Sequence, residues 1–350
     1  MNYDRAFFDA GIDRAGTQSV KWAARGIMQE GMVPLWVADM DFACARPIVD
    51  ALRARAEHAC YGYTFPSTED ARALIGFWTR RHKLALKPEY LVMMPTVVAG
   101  LRACVQTMTQ PGDGVIIQSP VYGPFIDAVR ESGRMMLDAG LKHDEHGRYT
   151  MDYEAIERHL VKGARLMILC NPHNPVCRAW TQEELRALLS LLNRYKARLV
   201  SDEIHADFVY SPKEFVPVLS LPEAREDTVM LVAASKTFNI AGLQQATAIC
   251  RDKDVAAMLT RYLERSGAHS GNIFALAGTR AAYLQCDDWL DGLLQYLLEN
   301  QEALRNLLAD LLPHAILSPM EATYLAWVDI RAYDTPNCEL GSRCKKHGVA

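Results

Sequence analysis

The 350-residue sequence has no C-x-x-C pair, no internal repeat, no low-complexity stretch and no apolar run near the ~20 residues that cross a membrane. Each absence closes a class of function. Its nine cysteines (44, 60, 104, 170, 177, 250, 286, 338 and 344) are scattered and odd in number. That pattern fits free thiols in a reducing compartment better than a disulfide framework or a zinc site. The opening stretch, "MNYDRAFFDAGIDRAG", is charged from its fourth residue and lacks the apolar core of a secretory signal, so a cytoplasmic protein is expected. With 38 basic against 42 acidic residues, the net charge of −4 offers no general attraction to nucleic acid or to anionic membranes. The one dense basic cluster, "RCKKH" (Arg343 to His347), reads as a solvated turn or helix end.

What is present is an ordinary globular composition, 50% hydrophobic and 23% charged, at a length that suits one large domain and one smaller one. Between Glu89 and Ile249, short apolar runs alternate with longer helical periods. "GVIIQSP" (Gly114 to Pro120), "ARLMILCNP" (Ala164 to Pro172), "ARLVSDE" (Ala197 to Glu203) and "TVMLVAAS" (Thr228 to Ser235) read as buried strands. "TQEELRALLSLLNRYK" (Thr181 to Lys196) reads as a helix with an N-cap threonine, a glutamate three residues on, and leucines at helical spacing. Strand, helix, strand in this rhythm predicts an α/β fold: three layers with a mostly parallel sheet covered on both faces. Beyond Val255 the periods lengthen, as in "WLDGLLQYLLENQEALRNLLADLL" (Trp289 to Leu312), before a strand-like "TYLAWVDI" (Thr323 to Ile330). The expected division is residues 46–280 as the large domain, with residues 1–45 and 281–350 building a smaller α+β domain joined to it by a long helix.

In such sheets the ligand crevice lies beyond the carboxyl ends of the strands. The residues there are Ser119, Pro120 and Tyr122; Asn171, His173 and Asn174; Asp202, Glu203 and His205; and Ser235 with Lys236. Lys236 closes the apolar run "TVMLVAA", and a lysine there is either solvated or buried with a partner. An amine at one strand end and a carboxylate at another suit a cofactor that needs both. Pyridoxal phosphate is one: a lysine forms a Schiff base with its aldehyde while an aspartate partners its ring nitrogen.

The stretches "SDEIHADFVY", "CNPHNPV" and "ASKTFNIAGLQ" resemble fold-type I pyridoxal phosphate enzymes of the class I/II aminotransferase superfamily. More narrowly, "NYDRAFFDAGIDRAGTQSVKW", "PLWVADMDF" and "YGYT" resemble its carbon–sulfur β-lyase branch, the MalY/PatB group of cystathionine β-lyase-like proteins, and the likeness runs from Asn2 to the end of the chain. The resemblance implies an aminotransferase-like large domain, pyridoxal 5'-phosphate as cofactor and an amino acid as substrate. It implies Lys236 as the Schiff-base lysine and Asp202 as the partner of the ring nitrogen. Asn174 would donate to the phenolic oxygen and border the substrate, and Tyr122 would stack on the ring, unless it is a core aromatic.

His205 stands where related aminotransferases carry a tyrosine and would orient the asparagine or the ring, or serve as a plain supporting histidine. Backbone amides of Val97 and Val98, where "PTVVAGLRACVQ" turns into a helix, would bind the phosphate with the Ser235 hydroxyl. Tyr63 of "GYT" would reach the phosphate of a neighbouring subunit, implying a homodimer with shared active sites; the alternative is that it packs locally. "WVADMDF" would line the substrate mouth, with the Ala38 backbone near the substrate carboxylate and Asp39 and Asp41 as candidate turn and cap residues.

Two departures from the family pattern stand out. Cys177 followed by Arg178 comes after "NPHNPV", where the family usually has glycine, so either a strained loop or an altered approach to the cofactor is expected. Family members also continue past "KKHGVA" to an arginine that grips the substrate carboxylate. The expectation is therefore a small domain incomplete at its C-terminal side. The function implied is β-elimination from cystathionine or a cysteine S-conjugate to a thiol, pyruvate and ammonia. An aminotransferase and a weakly active, cofactor-binding regulatory protein are the alternatives.

Overall fold

Branched and long apolar side chains at every position of "LMILC" and "VMLV" bury both faces of a strand only within a sheet covered on both sides. A computed structural model, describing residues 2–14, 16–23, 28, 31–268, 271–333 and 337–350, places them there. The strands are β1 (Leu91–Met94), β2 (Gly114–Ile117), β3 (Met135–Asp138), β4 (Leu166–Cys170), β5 (Arg198–Asp202), β6 (Val229–Val232) and β7 (Ala246–Cys250). They form one seven-stranded sheet in the order β1-β7-β6-β5-β4-β2-β3, in which β7 runs antiparallel to both neighbours and the other pairings are parallel.

Alternate residues feed two cores. Leu166 and Ile168 pack with the Val97–Met108 and Lys253–Arg265 helices on one face. Met167 and Leu169 pack with the Thr68–His82 and Gln182–Arg194 helices on the other. The last of these helices starts with the expected capping box: Thr181 Oγ1 accepts from the Glu184 N–H, and the Glu184 carboxylate accepts from the Thr181 N–H.

The long Asp287–Leu311 helix lies where its leucine pattern placed it. The N-terminal segment packs on it through Phe8, whose ring lies 5.8 Å from Trp289 and 5.3 Å from Tyr296. "TYLAWVDI" departs from expectation, because only Val328–Asp329 is a strand, paired with Ile316–Leu317. Its entry is held elsewhere: the preceding Ala322 N–H donates to the Cys177 carbonyl, and the N–H of its first residue, Thr323, to that of Phe208. The basic "RCKKH" ends the Asn337–Lys346 helix, where positive charge complements the helix dipole.

Cys177 adopts the left-handed conformation that glycine favours, with φ +60°, and its buried thiol reaches the carbonyls of Pro175 and Leu325. Arg178 is fully buried. Its guanidinium pairs with Glu184 at 2.6 Å and with Glu321, and lies 4.8 Å from the centre of the Trp180 ring. The eight described cysteine thiols are unpaired. Among the described residues no helix is long and apolar enough to cross a membrane.

Candidate active site

Parallel strands of one direction end together, and register aligns their last residues: Cys170 of β4 faces Asp202 of β5, which faces Leu231 of β6. Beyond this edge lies a cavity of about 440 Å³. Of the ten residues singled out from sequence, nine line it: Ala38, Val97, Val98, Tyr122, Asn174, Asp202, His205, Ser235 and Lys236. Tyr63 does not; it is fully exposed and has no local packing.

Other strand-end residues turn away from the cavity. Ser119 Oγ donates to Asp138 at 2.5 Å, His173 Nε2 bonds the Pro120 carbonyl at 3.0 Å, and Asn171 Nδ2 donates to the Val216 carbonyl at 3.1 Å. Glu203 is buried behind the sheet edge, accepting from Ser201 Oγ and from the Val218 and Asn171 N–H groups.

Strand β6 stops at Val232, short of the expected Ser235, and Ala234–Thr237 forms a single helical turn that carries Lys236 inward. The lysine is not solvated. It is half-buried, and Nζ donates to the Ala38 carbonyl at 2.6 Å, an oxygen that also accepts from Tyr324 Oη at 3.2 Å. Burial lowers the Lys236 pKa, and the charges of Asp39 and Asp202 offset part of that shift. Asp202 is buried and pushed up to about 7 by desolvation, against the Ile204 N–H at 3.1 Å and the Lys236 charge. His205 is held neutral, its pKa pushed down to about 3 by burial and then by Lys236, and its buried Nδ1 has no hydrogen-bond partner. Tyr122 is exposed at the mouth; burial of part of its ring and the Asp202 charge raise its phenol pKa.

At the far end, Thr96 caps the Val97–Met108 helix, its Oγ1 accepting from the Ala99 N–H at 3.1 Å. As first-turn amides, those of Val97 and Val98 have no intrahelical carbonyl to bond and are free to bind an anion.

Asp39 and Asp41 are ion-pair partners, and the Asp39 N–H also closes a tight turn onto the Val37 carbonyl at 2.9 Å. Arg14 bonds Asp39 at 2.9 Å and Asp41 at 3.1 Å, and Lys21 Nζ bonds Asp41 at 2.6 Å. Asn239 secures the same segment, its Nδ2 donating to the Met40 and Phe42 carbonyls. Sequence reasoning missed Cys170, Gln244 and Gln245, which also line the cavity. The glutamines directly follow the "SKTFNIAGL" stretch, and Gln244 takes a left-handed φ of +59° that turns the chain back to the site. No arginine is among the described residues that line the cavity.

A family model described as aminotransferase class I and II matches residues 32–344. Cystathionine beta-lyase PatB of Bacillus subtilis (strain 168) is 39% identical over 345 residues, covering 97% of this chain and 89% of its own. Protein MalY of Escherichia coli (strain K12) is 31% identical over 329 residues, covering 93% of this chain and 84% of its own. Among solved structures, the PLP-bound C-S lyase from Staphylococcus hominis matches with TM-score 0.90 at 30% identity, over 98% of this chain and 88% of that one. Cystalysin from Treponema denticola, which contains pyridoxal 5'-phosphate, matches with TM-score 0.91 at 28% identity, over 95% and 86%.

Proposed function

The chain belongs to the class I and II aminotransferase family, and from that premise we propose that it is a pyridoxal phosphate-dependent carbon–sulfur β-lyase acting on cystathionine or related cysteine S-conjugates. The observation that carries the reading is a desolvated lysine amine and a buried carboxyl facing one cavity. The names of the relatives support the lyase chemistry.

The residues present fit the cofactor in kind. Lys236 offers an amine for an aldehyde, and Asp202 a carboxyl that a cationic ring nitrogen would relieve of its desolvation. The Val97 and Val98 amides with the Ser235 hydroxyl offer donors for a phosphate. Asn174 would donate to the phenolic oxygen, the Tyr122 ring would cover one face, and the unpartnered Nδ1 of neutral His205 would orient the group.

Pyridoxal phosphate, when bound, supplies an electron sink for the carbanion at the substrate's α carbon. Lys236 takes the α proton, because burial favours its neutral form, the one able to accept. Asp202 would hold a positive charge on the cofactor's ring nitrogen in place. Asn174 and the Ala38 amide take the substrate carboxylate, with Trp36 closing the mouth. Lys236 then returns its proton at the leaving sulfur as the Cβ–S bond breaks. One water enters overall, giving thiol, pyruvate and ammonia.

The wider assembly belongs to the same reading. Residues 46–280 form the cofactor domain, and residues 1–45 with 281–350 form a smaller one, supported by the packing of Phe8 on the Asp287–Leu311 helix. A homodimer, in which the exposed Tyr63 reaches the partner's phosphate site, accounts for a fully exposed aromatic. The unpaired thiols support a cytoplasmic setting.

Incubation with L-cystathionine tests the reading. Pyruvate and a thiol released without an added keto acid are expected. Turnover that depends strictly on a keto acid makes the protein an aminotransferase, and cofactor binding without turnover makes it a binding protein.

A further inference from the structure

The turn that carries Lys236 has only four residues, Ala234–Thr237, and so short a helix does not hold itself. Its flanks show what does. On one side Asn239 ties it to the Met40 and Phe42 carbonyls at 3.0 and 2.9 Å. On the other, Thr237, fully buried and next to the lysine, donates from Oγ1 to Asp207 Oδ2 at 2.6 Å. The second oxygen of that carboxylate, Oδ1, accepts from His82 Nε2 at 2.8 Å, both side chains being only 6% exposed. The imidazole is itself clamped, its ring centre 4.5 Å from Trp78 and 5.2 Å from Phe215.

Thr237, Asp207 and His82 do not line the active-site cavity, and nothing in the lyase chemistry uses them. Yet a buried carboxylate is costly unless both its oxygens are satisfied. Here one is satisfied by the C-terminal end of the Thr68–His82 helix and the other by the lysine-bearing turn. Asp207 also lies five residues beyond Asp202, on the loop that carries His205, so one carboxylate ties that loop to the turn.

We propose that Asp207 is a positioning residue for Lys236, acting through Thr237, with His82 holding the carboxylate in place. The role rests on Lys236 being the cofactor-binding amine. The structural claim, that Asp207 sets where that amine points, can be read without the cofactor.

The charged and titratable groups facing the Lys236 amine are Asp39, Asp202 and His205; those facing Asp207 are His82 and Tyr283. The experiment is competitive amine labelling of the cofactor-free 350-residue chain across a pH series, read at Lys236 by mass spectrometry with surface lysines as internal reference. Thr237→Val is expected to speed labelling of Lys236 about tenfold, the scale of one lost hydrogen bond to a charged group, and to move its pH midpoint toward the surface lysines. Thr237→Ser, which keeps the hydroxyl, is expected to stay within about twofold of the parent chain.

A Thr237→Val chain that folds with Lys236 labelling unchanged overturns the proposal, even if its melting temperature falls. If that variant fails to fold, His82→Gln is read the same way, and unchanged labelling there overturns it too. Titrating the unaltered chain with pyridoxal 5'-phosphate separates the two claims. Failure to bind it removes the lyase reading, while the labelling series still decides the role of Asp207.

Discussion

Lys236 Nζ and the Ala38 carbonyl oxygen lie 2.6 Å apart, joining residues 198 positions apart in the chain. The contact ties the lysine to the segment that borders the substrate mouth, and it explains how an amine is kept at the end of an apolar run. Lys236→Ala should lower kcat by about 10²–10⁴-fold, the range for losing a positioned general base. Lys236→Arg should not rescue it, since a guanidinium stays protonated. Steady-state kinetics with L-cystathionine check this, and wild-type turnover from Lys236→Ala would remove the lysine from the mechanism.

Cys177 occupies a left-handed position, so its substitutions should rank in an order that side-chain size does not explain. Both variants lose the sulfur contacts to Pro175 and Leu325, but glycine relieves the backbone at φ +60° whereas alanine keeps the strain. Cys177→Gly should therefore be more stable than Cys177→Ala by about 1 kcal/mol in urea unfolding. The reverse order would mean that the left-handed conformation at position 177 carries no strain for glycine to relieve.

Glu321 gathers Arg178, Arg148 at 3.3 Å and Lys213 at 3.5 Å, and it accepts from the Ala179 N–H. It pins the 318–325 segment to the loop that bears Asn174. Glu321→Ala leaves Arg178 buried with one partner fewer, and should cost about 3–5 kcal/mol. A loss below about 1 kcal/mol by urea unfolding would show that Glu184 alone suffices for Arg178.

Glu203 is pushed up to about 8 by burial, from an ordinary 4.5. Over that interval the folded chain keeps a proton that the unfolded chain has released, so stability falls as pH rises from about 4.5 through 8. Glu203→Gln keeps the oxygen that accepts from Ser201 and Val218 but has no proton to lose. Its melting temperature relative to the parent chain should climb across that window. A difference that stays flat with pH would contradict the burial of an ionisable carboxyl there.

The layered sheet was legible because its strands are apolar at every position and its helices carry caps, both local signals that tertiary packing reinforces. Lys236 and Asp202 were legible as an amine and a carboxyl at neighbouring strand ends, whereas Asn174 was singled out among the strand-end residues by the family resemblance. Other features were not local. The "TYLAWVDI" segment has strand-like residues, but its first amide, that of Thr323, is claimed by the Phe208 carbonyl and the preceding one, that of Ala322, by the Cys177 carbonyl. Asp39 and Asp41 look like turn residues until Arg14 and Lys21 fold against them. Gln244 and Gln245 line the cavity at a point where Gln244 adopts a left-handed conformation, which a glutamine does not advertise.

The most direct test is borohydride reduction of the chain loaded with pyridoxal 5'-phosphate, followed by peptide mass spectrometry. A phosphopyridoxyl group on Lys236, absent from Lys236→Ala, is the predicted result. Its attachment to another lysine, or to none, would contradict the assignment of Lys236 and the lyase chemistry built on it.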